Sequence, residues 1–484
     1  MNLSIFNEQW KVVGVGVILL ILALVLPLSI IAYIVTVILG VLAFIKPKES
    51  MFLLLFYFPL RSFLVEINPS LKLVGDLIIV AAFLRVLWNS RTNPKSIVQF
   101  EKFEWAFIAF LVVGAISAFI TGVSLGAIVF QLRAFAITFL ILYVVKRLGI
   151  TKQDIKMFLW STFIVAMILV VQGLVEKLSM RSAWMPEFWI NRSLSPNNKV
   201  RIYGLINNPN VLAVFLTIAA MLTVYLKMLL PKNKVQWLLN LALVLMSGVW
   251  VLTYSRGTWI AFAIGLAIYV LFTRNWKFMV KTGVVIGLSI IFVMIPATNV
   301  ANWISDNTQI GNFPRTGPAE EVGFEVEKNR ITETFNKSTL EKSMTTGRLY
   351  IVSKGFEIFK DYPIIGTGFA TFGDSASKSY SSPIYKDYEI GYDIYADNQY
   401  IQIITQTGVV GVLLFAVFLL GMLIMFWKYR KTSPYAIPMV AGLIAVFWCG
   451  LIYNIWEDKT FTMYFYFLTG AFLLVVTKKE RVTE

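Results

Sequence analysis

The residues of this chain that could carry out chemistry are mainly arginines and aspartates, because histidine is absent. Without histidine the chain lacks the commonest general base and the commonest transition-metal ligand. Arginine binds phosphate groups through paired hydrogen bonds and stays charged at any relevant pH. Charge next to a bilayer is costly unless it is paired or functional. Five arginines nevertheless lie near the predicted outer ends of apolar segments: Arg61, Arg133, Arg201, Arg256 and Arg348.

An anion at the outer leaflet would explain all of these arginines together. That anion could be a lipid headgroup or the diphosphate of a lipid-linked sugar. Alternatively, a single arginine could pair with an acid such as Asp76 or Glu176. Several arginines converging on one place would favour a functional diphosphate site.

A second unit is the segment 201–210, RIYGLINNPN, which ends directly before an apolar run. Asparagine and proline are common where helices begin, so Asn-Pro-Asn predicts a helix start. The motif could be only a cap, or the helix N-terminus could help Arg201 to hold an anion. The candidate substrate-binding residues here are Arg201, Tyr203 and Asn210.

A third unit is Asp397-Asn398, which stands just before a long apolar run containing Gly408 and Gly411. The structural interpretation is a helix cap followed by glycines that permit close helix packing. The functional interpretation makes Asp397 a general base or orienting carboxylate for an acceptor hydroxyl, since burial beside the membrane would strengthen it as a base. Nearby rivals for this role are Glu389 and Asp393.

Composition predicts an all-α, polytopic transmembrane helical bundle. The chain is 58% apolar and only 14% charged, with a mean hydropathy of +0.72, whereas soluble domains average about 25% charged residues. The net charge of +16 does not indicate nucleic-acid binding, because the basic residues cluster between apolar runs. The single cysteine, Cys449, lies inside an apolar run and is expected to be buried.

Apolar runs of about 20 residues, the length that spans a bilayer, predict 12–14 membrane spans. In order they are 12–26, 28–45, 51–67, 71–88, 104–122, 126–145, 156–175, 210–230, 236–253, 257–273, 279–297, 401–427, 434–455 and 459–477. Basic clusters follow the even-numbered spans, so both termini are predicted to be cytoplasmic.

This pattern divides the chain into three parts. Residues 1–297 form an N-terminal membrane bundle with an external loop at 176–209, and residues 401–484 form C-terminal membrane helices with a short tail. Between them, residues 298–400 form a large external loop with 14 acidic and 10 basic residues, a net charge of −4. Such a segment is too small for a large core of its own and is expected to pack on the membrane helices.

Within this loop, residues 347–360 have a helical apolar stripe formed by Leu349, Val352, Phe356 and Phe359. The helix should end before Pro363, and Gly366-Thr-Gly368 should form a turn. No Walker loop, HExxH or DxD motif occurs, so we predict neither a cofactor nor a metal.

Four segments of the chain resemble the O-antigen ligase and O-antigen polymerase-like superfamily of bacterial membrane glycosyltransferases. They are RIYGLINNPNVLAVFL (201–216), TYSRGTWIAF (253–262), GRLYIVSKGFEIFKDYPIIGTGFATF (347–372) and DNQYIQIITQTGVVG (397–411). The family often has His-Asn followed, after nine residues, by Gly-x-x-Gly. Here Asn398 and Gly408-Val-Val-Gly411 keep that spacing, but Asp397 stands where many ligases have the histidine.

This resemblance implies a GT-C-like membrane enzyme that transfers a glycan from undecaprenyl diphosphate to an acceptor sugar, with inversion and without a metal. Arg348 and Arg256, with Arg201, would contact the diphosphate, and Arg133 is added because of its depth in the membrane. Asp397 would activate the acceptor, and Asn398 would position it.

The resemblance leaves the acceptor open. The preferred prediction is a polymerase of lipid-linked repeat units in the bacterial cytoplasmic membrane, for a capsule, an exopolysaccharide or a teichuronic-type wall polymer. A ligase that moves glycan to lipid or protein is the near alternative. A flippase would instead predict internal repeats and midplane charges, and a scaffold would not need outer arginines. The expected partners are the lipid-linked donor, the acceptor glycan and membrane lipid, with a flippase and a chain-length regulator as further candidates.

Overall fold

Every regular element in the described part of the chain is helical, which confirms the predicted all-α class. The computed structural model describes residues 8–192, 194, 196–231, 234–308, 310, 347–391 and 393–483. In the described residues, ten helices are long and apolar enough to cross a membrane, with Trp276–Asn307 counted as one helix. Three shorter helices are also apolar. The chain is therefore a polytopic helical membrane protein.

Most of the helices match a predicted span to within a few residues at most of their ends, and two lie wholly in the segment 298–400 that was predicted to be a loop. They are α1 (Glu8–Val25), α2 (Ser29–Ile45), α3 (Pro47–Ile67), α4 (Val74–Asn89), α5 (Lys102–Ile120), α6 (Leu125–Val145), α7 (Lys152–Leu178), α8 (Pro209–Leu229), α9 (Lys234–Leu252), α10 (Arg256–Thr273), α11 (Trp276–Ser289), α12 (Ile295–Asn307), α13 (Arg348–Asp361), α14 (Ser375–Tyr380), α15 (Gln399–Lys428), α16 (Ala436–Gly450) and α17 (Lys459–Thr483). A π-helical turn, Ile290–Met294, joins α11 to α12, so this helical stretch extends beyond the predicted end at 297.

The chain forms two compact units. The first comprises Met1–Trp88, Tyr143–Thr258 and Trp276–Glu333, and in it α7 packs against α3, α8, α9 and α12. The segment 176–209, which was predicted to be external, is attached to α3, since the buried Trp189 indole donates to the Glu66 carboxylate at 3.0 Å.

The second unit comprises Asn89–Leu142, Trp259–Asn275 and Thr334–Glu484. Its centre is the contact between α5 and α15, where aromatic rings interlock. The Phe107 and Phe418 ring centroids lie 4.5 Å apart, and Phe369 packs on Phe110 at 5.5 Å. Such ring pairs add about 0.5–1.5 kcal/mol each beyond their buried area.

Helix α15 is broken at Gly408, which has φ 58° and ψ −161°. The segment 363–369 pairs with the backbone on either side of the break. Gly368 N–H donates to Gln406 O at 2.7 Å, and Val409 N–H donates to Pro363 O at 2.8 Å. Irregular backbone at membrane depth is tolerated when protein surrounds it, and this segment also receives a 2.6 Å hydrogen bond from the Ser117 hydroxyl on α5 to Gly366 O. The break at Gly408 therefore creates a docking site for the segment 363–369. The sequence predicted only that the glycines permit close packing between helices.

The described part of the segment 298–400, which was predicted to be external, has a small core of its own that rests on α15. It contains Ile351, Ile358, Phe372, Ile384, Tyr385, Ile390, Ile394, Ala396 and Ile401. Helix α13 ends at Asp361, as predicted, but the predicted stripe is wrong, because Leu349 and Phe356 are exposed. The buried face instead centres on Gly355, because a Cβ there would lie only 2.5 Å from Ile401 of α15. Residues 311–346 of the predicted 298–400 loop lie outside the described residues.

Candidate active site

Arg201 joins three segments of the first unit. Its Nε donates to Thr253 O at 2.8 Å, and one terminal nitrogen donates to Asn210 Oδ1 at 2.8 Å. Ile202 N–H also donates to Leu252 O at 3.1 Å, which holds this segment along the end of α9. The structure thus brings two of the predicted site residues, Arg201 and Asn210, into direct contact.

Two long helices begin at this point. Asn208 caps α8 by accepting from the N–H groups of Asn210 at 2.9 Å and Val211 at 3.2 Å, and Pro209 occupies the first turn. Ser255 directly precedes α10, and its hydroxyl donates to Asn210 Oδ1 at 2.9 Å. Helix N-termini carry partial positive charge, so two helix starts and a guanidinium make this a favourable place for an anion. The predicted helix start at Asn-Pro-Asn is confirmed.

Arg256 is the first residue of α10 and is exposed. It follows Ser255 directly in the sequence. The Arg201–Asn210–Ser255 cluster therefore has a second cationic residue next to it in the chain. Thr258 adds a hydroxyl, since its Oγ1 lies 2.9 Å from Ser255 Oγ. The first unit therefore supplies guanidinium and hydroxyl groups of the kind that bind phosphate oxygens.

Tyr203 is held by a buried ion pair. The Glu176 carboxylate accepts from Tyr203 N–H at 3.1 Å and from Gly204 N–H at 2.7 Å. Arg181 donates to the same carboxylate at 2.8 Å, and its guanidinium lies 4.3 Å from the Tyr203 ring centroid. The acid that sequence analysis considered as an arginine partner thus pairs with Arg181, which that analysis did not select. The ring of Tyr203 is buried beneath the Arg181 guanidinium.

Asp397 belongs to the second unit and has a left-handed backbone, with φ 45°. Before it, Ala396 N–H donates to Gly373 O at 2.9 Å. After it, Asn398 caps α15 by accepting from the N–H groups of Tyr400 and Ile401, both at 3.1 Å. Asp397 is half-buried, so its neighbours on both sides fix a carboxylate that solvent can still reach.

Two tyrosines share this region with several acids. Burial raises the pKa of Tyr395, and the negative charges of Glu457, Asp397 and Asp458 raise it further. Burial likewise raises the pKa of Tyr453, whose hydroxyl donates to Asp458. The surroundings of Asp397 are therefore acidic and rich in hydroxyl groups.

The remaining two predicted residues also lie in the second unit. Arg348 is the first residue of α13, is exposed, and donates to Ile452 O at 3.2 Å. Arg133 is half-buried on α6. One half-turn away on the same helix, Gln131 donates to Glu457 Oε1 at 2.9 Å. Both arginines thus belong to elements that contact the turn between α16 and α17.

Sequence analysis missed two buried carboxylates in this unit. Asp374 accepts from Ala370 N–H at 2.7 Å, from Ser377 N–H at 2.6 Å and from the Gln406 amide at 2.6 Å. Its pKa is raised chiefly by burial. The sequence feature that could have predicted these carboxylates is the pair Gln402 and Gln406, one helical turn apart in an apolar run. Buried amide side chains in a membrane span need hydrogen-bond partners.

Glu457 is the second missed carboxylate. Its Oε1 accepts from the amides of Gln131 and Gln402, and its Oε2 accepts from the Ser375 hydroxyl at 2.7 Å. Burial, together with the charge of Asp374, raises the pKa of Glu457 to about 7. No group of three or more Asp, Glu, Cys or His side chains among the described residues is placed to hold a metal ion.

Residues 241–416 match the O-antigen ligase family. The matched segment contains Ser255, Arg256, Arg348, Asp397 and Asn398, whereas Arg133, Arg201 and the turn 451–458 lie outside it. No curated protein matches the chain.

Proposed function

We propose that this chain is a member of the O-antigen ligase and polymerase-like superfamily that polymerises lipid-linked oligosaccharide repeat units, a proposal that the family match over residues 241–416 supports. The observation that carries this proposal is the Arg201–Asn210–Ser255 cluster, where two helix starts and a guanidinium meet. The reaction would take place on the outer face of the bacterial cytoplasmic membrane, with both termini in the cytoplasm. The donor would be a glycan on undecaprenyl diphosphate, and the product a capsule, an exopolysaccharide or a teichuronic-type wall polymer.

On the donor side, we assign diphosphate contact to Arg201 and Arg256 of the first unit, and we keep Arg348 of the second unit as a further cationic residue for the donor. Negative charge builds up on the lipid diphosphate as its bond to the sugar breaks. Guanidinium groups and helix N-termini that are already in place stabilise this charge without reorganising. Asn210 and Tyr203 hold the segment around Arg201 in its conformation. Arg133 on α6 is a further candidate for a cationic contact with the donor.

On the acceptor side, we assign proton removal to Asp397. The acceptor oxygen attacks the anomeric carbon from the face opposite the diphosphate, its C–O bond forms as the C–O bond to the diphosphate breaks, and its proton passes to the Asp397 carboxylate. The configuration at that carbon inverts. Asn398 fixes the start of α15 beside this carboxylate, so its role is to position Asp397 and the acceptor.

The test is the chain-length distribution of the surface polysaccharide in source cells that carry Arg348→Ala or Asp397→Ala. Both variants should accumulate the unpolymerised lipid-linked repeat. Matched controls are Lys360→Ala, an exposed cation on α13, and Asp393→Ala, an exposed aspartate and former rival of Asp397. Normal polymer in Arg348→Ala or Asp397→Ala cells, with the protein present in the membrane, would overturn the assignment.

The same cells separate the alternatives. Loss of a polymerase leaves the lipid-linked repeat on the outer face, whereas loss of a flippase leaves it inside. A ligase, which the name of the matched family favours, would leave long glycan on the lipid carrier and remove it from its final acceptor. A flippase and a chain-length regulator are the proposed protein partners, and co-purification from source membranes would test them.

A further inference from the structure

The turn between α16 and α17, residues 451–458, is anchored firmly to the membrane helices. Trp456 is buried, with its ring 5.3 Å from Phe418 and 5.3 Å from Phe465. The backbone N–H of Trp456 donates to Gln399 Oε1 at the start of α15 at 3.0 Å. Since large aromatic side chains dominate packing energies, this turn is a rigid base for whatever it contacts.

This turn holds the external loop through two side chains. Asn454 donates to Gly373 O at 3.0 Å. Glu457 accepts from Ser375 twice, from the hydroxyl at 2.7 Å and from the backbone N–H at 3.2 Å. The other oxygen of Glu457 is fixed by glutamine amides from α6 and α15. Glu457 is therefore the point at which two membrane helices and the loop meet.

The loop residues that Glu457 and Asn454 hold lead directly to Asp397. Gly373 O accepts from Asn454 and also from Ala396 N–H, which precedes Asp397. Gly373 has φ 67°, and a Cβ there would lie 2.5 Å from the Ala396 Cβ, so the two backbones touch. A left-handed conformation such as that of Asp397 is uncommon for residues other than glycine. It persists only where surrounding contacts determine it.

We propose that Glu457 is a positioning residue for Asp397, an inference that rests on the proposed role of Asp397 as the base. The four hydrogen bonds that Glu457 accepts fix the position of the segment Gly373–Ser375. Gly373, in turn, fixes the backbone position of Ala396 and Asp397. Only the ionised carboxylate can accept on all of these sides at once, so the assay below is run at pH 8, above the raised pKa of Glu457. A glutamine in its place would turn its NH₂ towards a donor on one side and shift the Asp397 side chain.

The test is a double-mutant cycle with Glu457→Gln and Asp397→Asn. The protein is purified in nanodiscs and assayed with the lipid-linked repeat extracted from source cells that lack it. Asp397→Asn should lower kcat about 100-fold, the scale of a lost general base. Glu457→Gln should lower kcat about 10-fold with KM for the donor unchanged, because misplacement by a fraction of an ångström is enough for such a loss. The exposed Glu357→Gln variant is the control and should match the wild type.

The double variant decides the question, since residues that act through one another are not additive. It should be no slower than Asp397→Asn alone. A double variant about 10-fold slower still would overturn the positioning role and leave the base assignment standing. An Asp397→Asn protein with normal kcat would overturn both. Should Glu457→Gln fail to reach the membrane, Ser375→Ala removes one hydrogen bond to Glu457 and should lower kcat in the same direction, and normal kcat there would also overturn the proposal.

Discussion

Gly366 lies so close to the backbone of Gln406 that any Cβ at position 366 would collide with the Gln406 carbonyl group. Gly366 also has φ 67°, a conformation that other residues rarely adopt. This contact sits beside the break in α15 at Gly408 and holds the segment 363–369 inside the second unit. The segment 363–369 is thus attached to α15 at a site that only glycine allows.

Gly366→Ala should therefore lower the thermal stability of the purified protein and its amount in the membrane. Backbone strain alone costs about 1–2 kcal/mol, and the collision adds to it. Gly391→Ala, in the same loop but with open space around it, is the control and should be neutral. Equal melting temperatures for the two variants, measured in detergent, would contradict the docking described here.

Arg201→Lys should lower polymer formation about 10-fold or more. A lysine keeps the charge but cannot reach Thr253 O and Asn210 Oδ1 together in the planar geometry of a guanidinium. A charge-assisted hydrogen bond contributes about 1.5–3 kcal/mol. The control is Arg192→Lys, an exposed arginine in the same external segment. Polymer length and amount measure the effect, and an active Arg201→Lys enzyme would mean that charge alone is required.

Local chemistry explains what the sequence could predict about the site. Asn208 and Asn398 each accept from backbone N–H groups two and three residues further along, so the helix starts can be inferred from short motifs. The bond between Ser375 and Glu457 joins residues 82 positions apart. No spacing rule connects such residues, so the carboxylate and glutamine network could not be predicted.

The fold likewise has features that the sequence predicts and features that it does not predict. Apolar runs predict the spans because their length is set by the bilayer. The break in α15 depends on Pro363 O and Ile364 O accepting from Val409 and Val410, a contact between distant segments. The pattern Gly-x-x-Gly shows that something approaches closely, but it does not show what. The wrong stripe on α13 has the same origin, since Ile401 of α15 decides which face is buried.

The buried pair of Glu176 and Arg181 yields a prediction about stability. Arg181→Met leaves the Glu176 carboxylate with only the N–H groups of Tyr203 and Gly204, and losing one partner of a buried ion pair costs about 3–5 kcal/mol. Adding Glu176→Gln removes the uncompensated charge, so the double variant should be more stable than Arg181→Met alone. Thermal unfolding in detergent measures this difference. Additive losses would show that the two side chains act independently.

The last prediction concerns pH and follows from Glu457, whose pKa is raised from 4.5 to about 7. The folded protein holds this proton more tightly than the unfolded chain, so the stabilisation is full below pH 4.5 and is lost as pH rises through 7. The raised pKa of Asp374 acts in the same direction. Melting temperatures measured between pH 4.5 and 8 should fall as pH rises, and Glu457→Gln should flatten the profile because a glutamine does not titrate. The exposed Glu357→Gln variant should keep the wild-type slope, and a slope that survives in Glu457→Gln would assign the proton to another group.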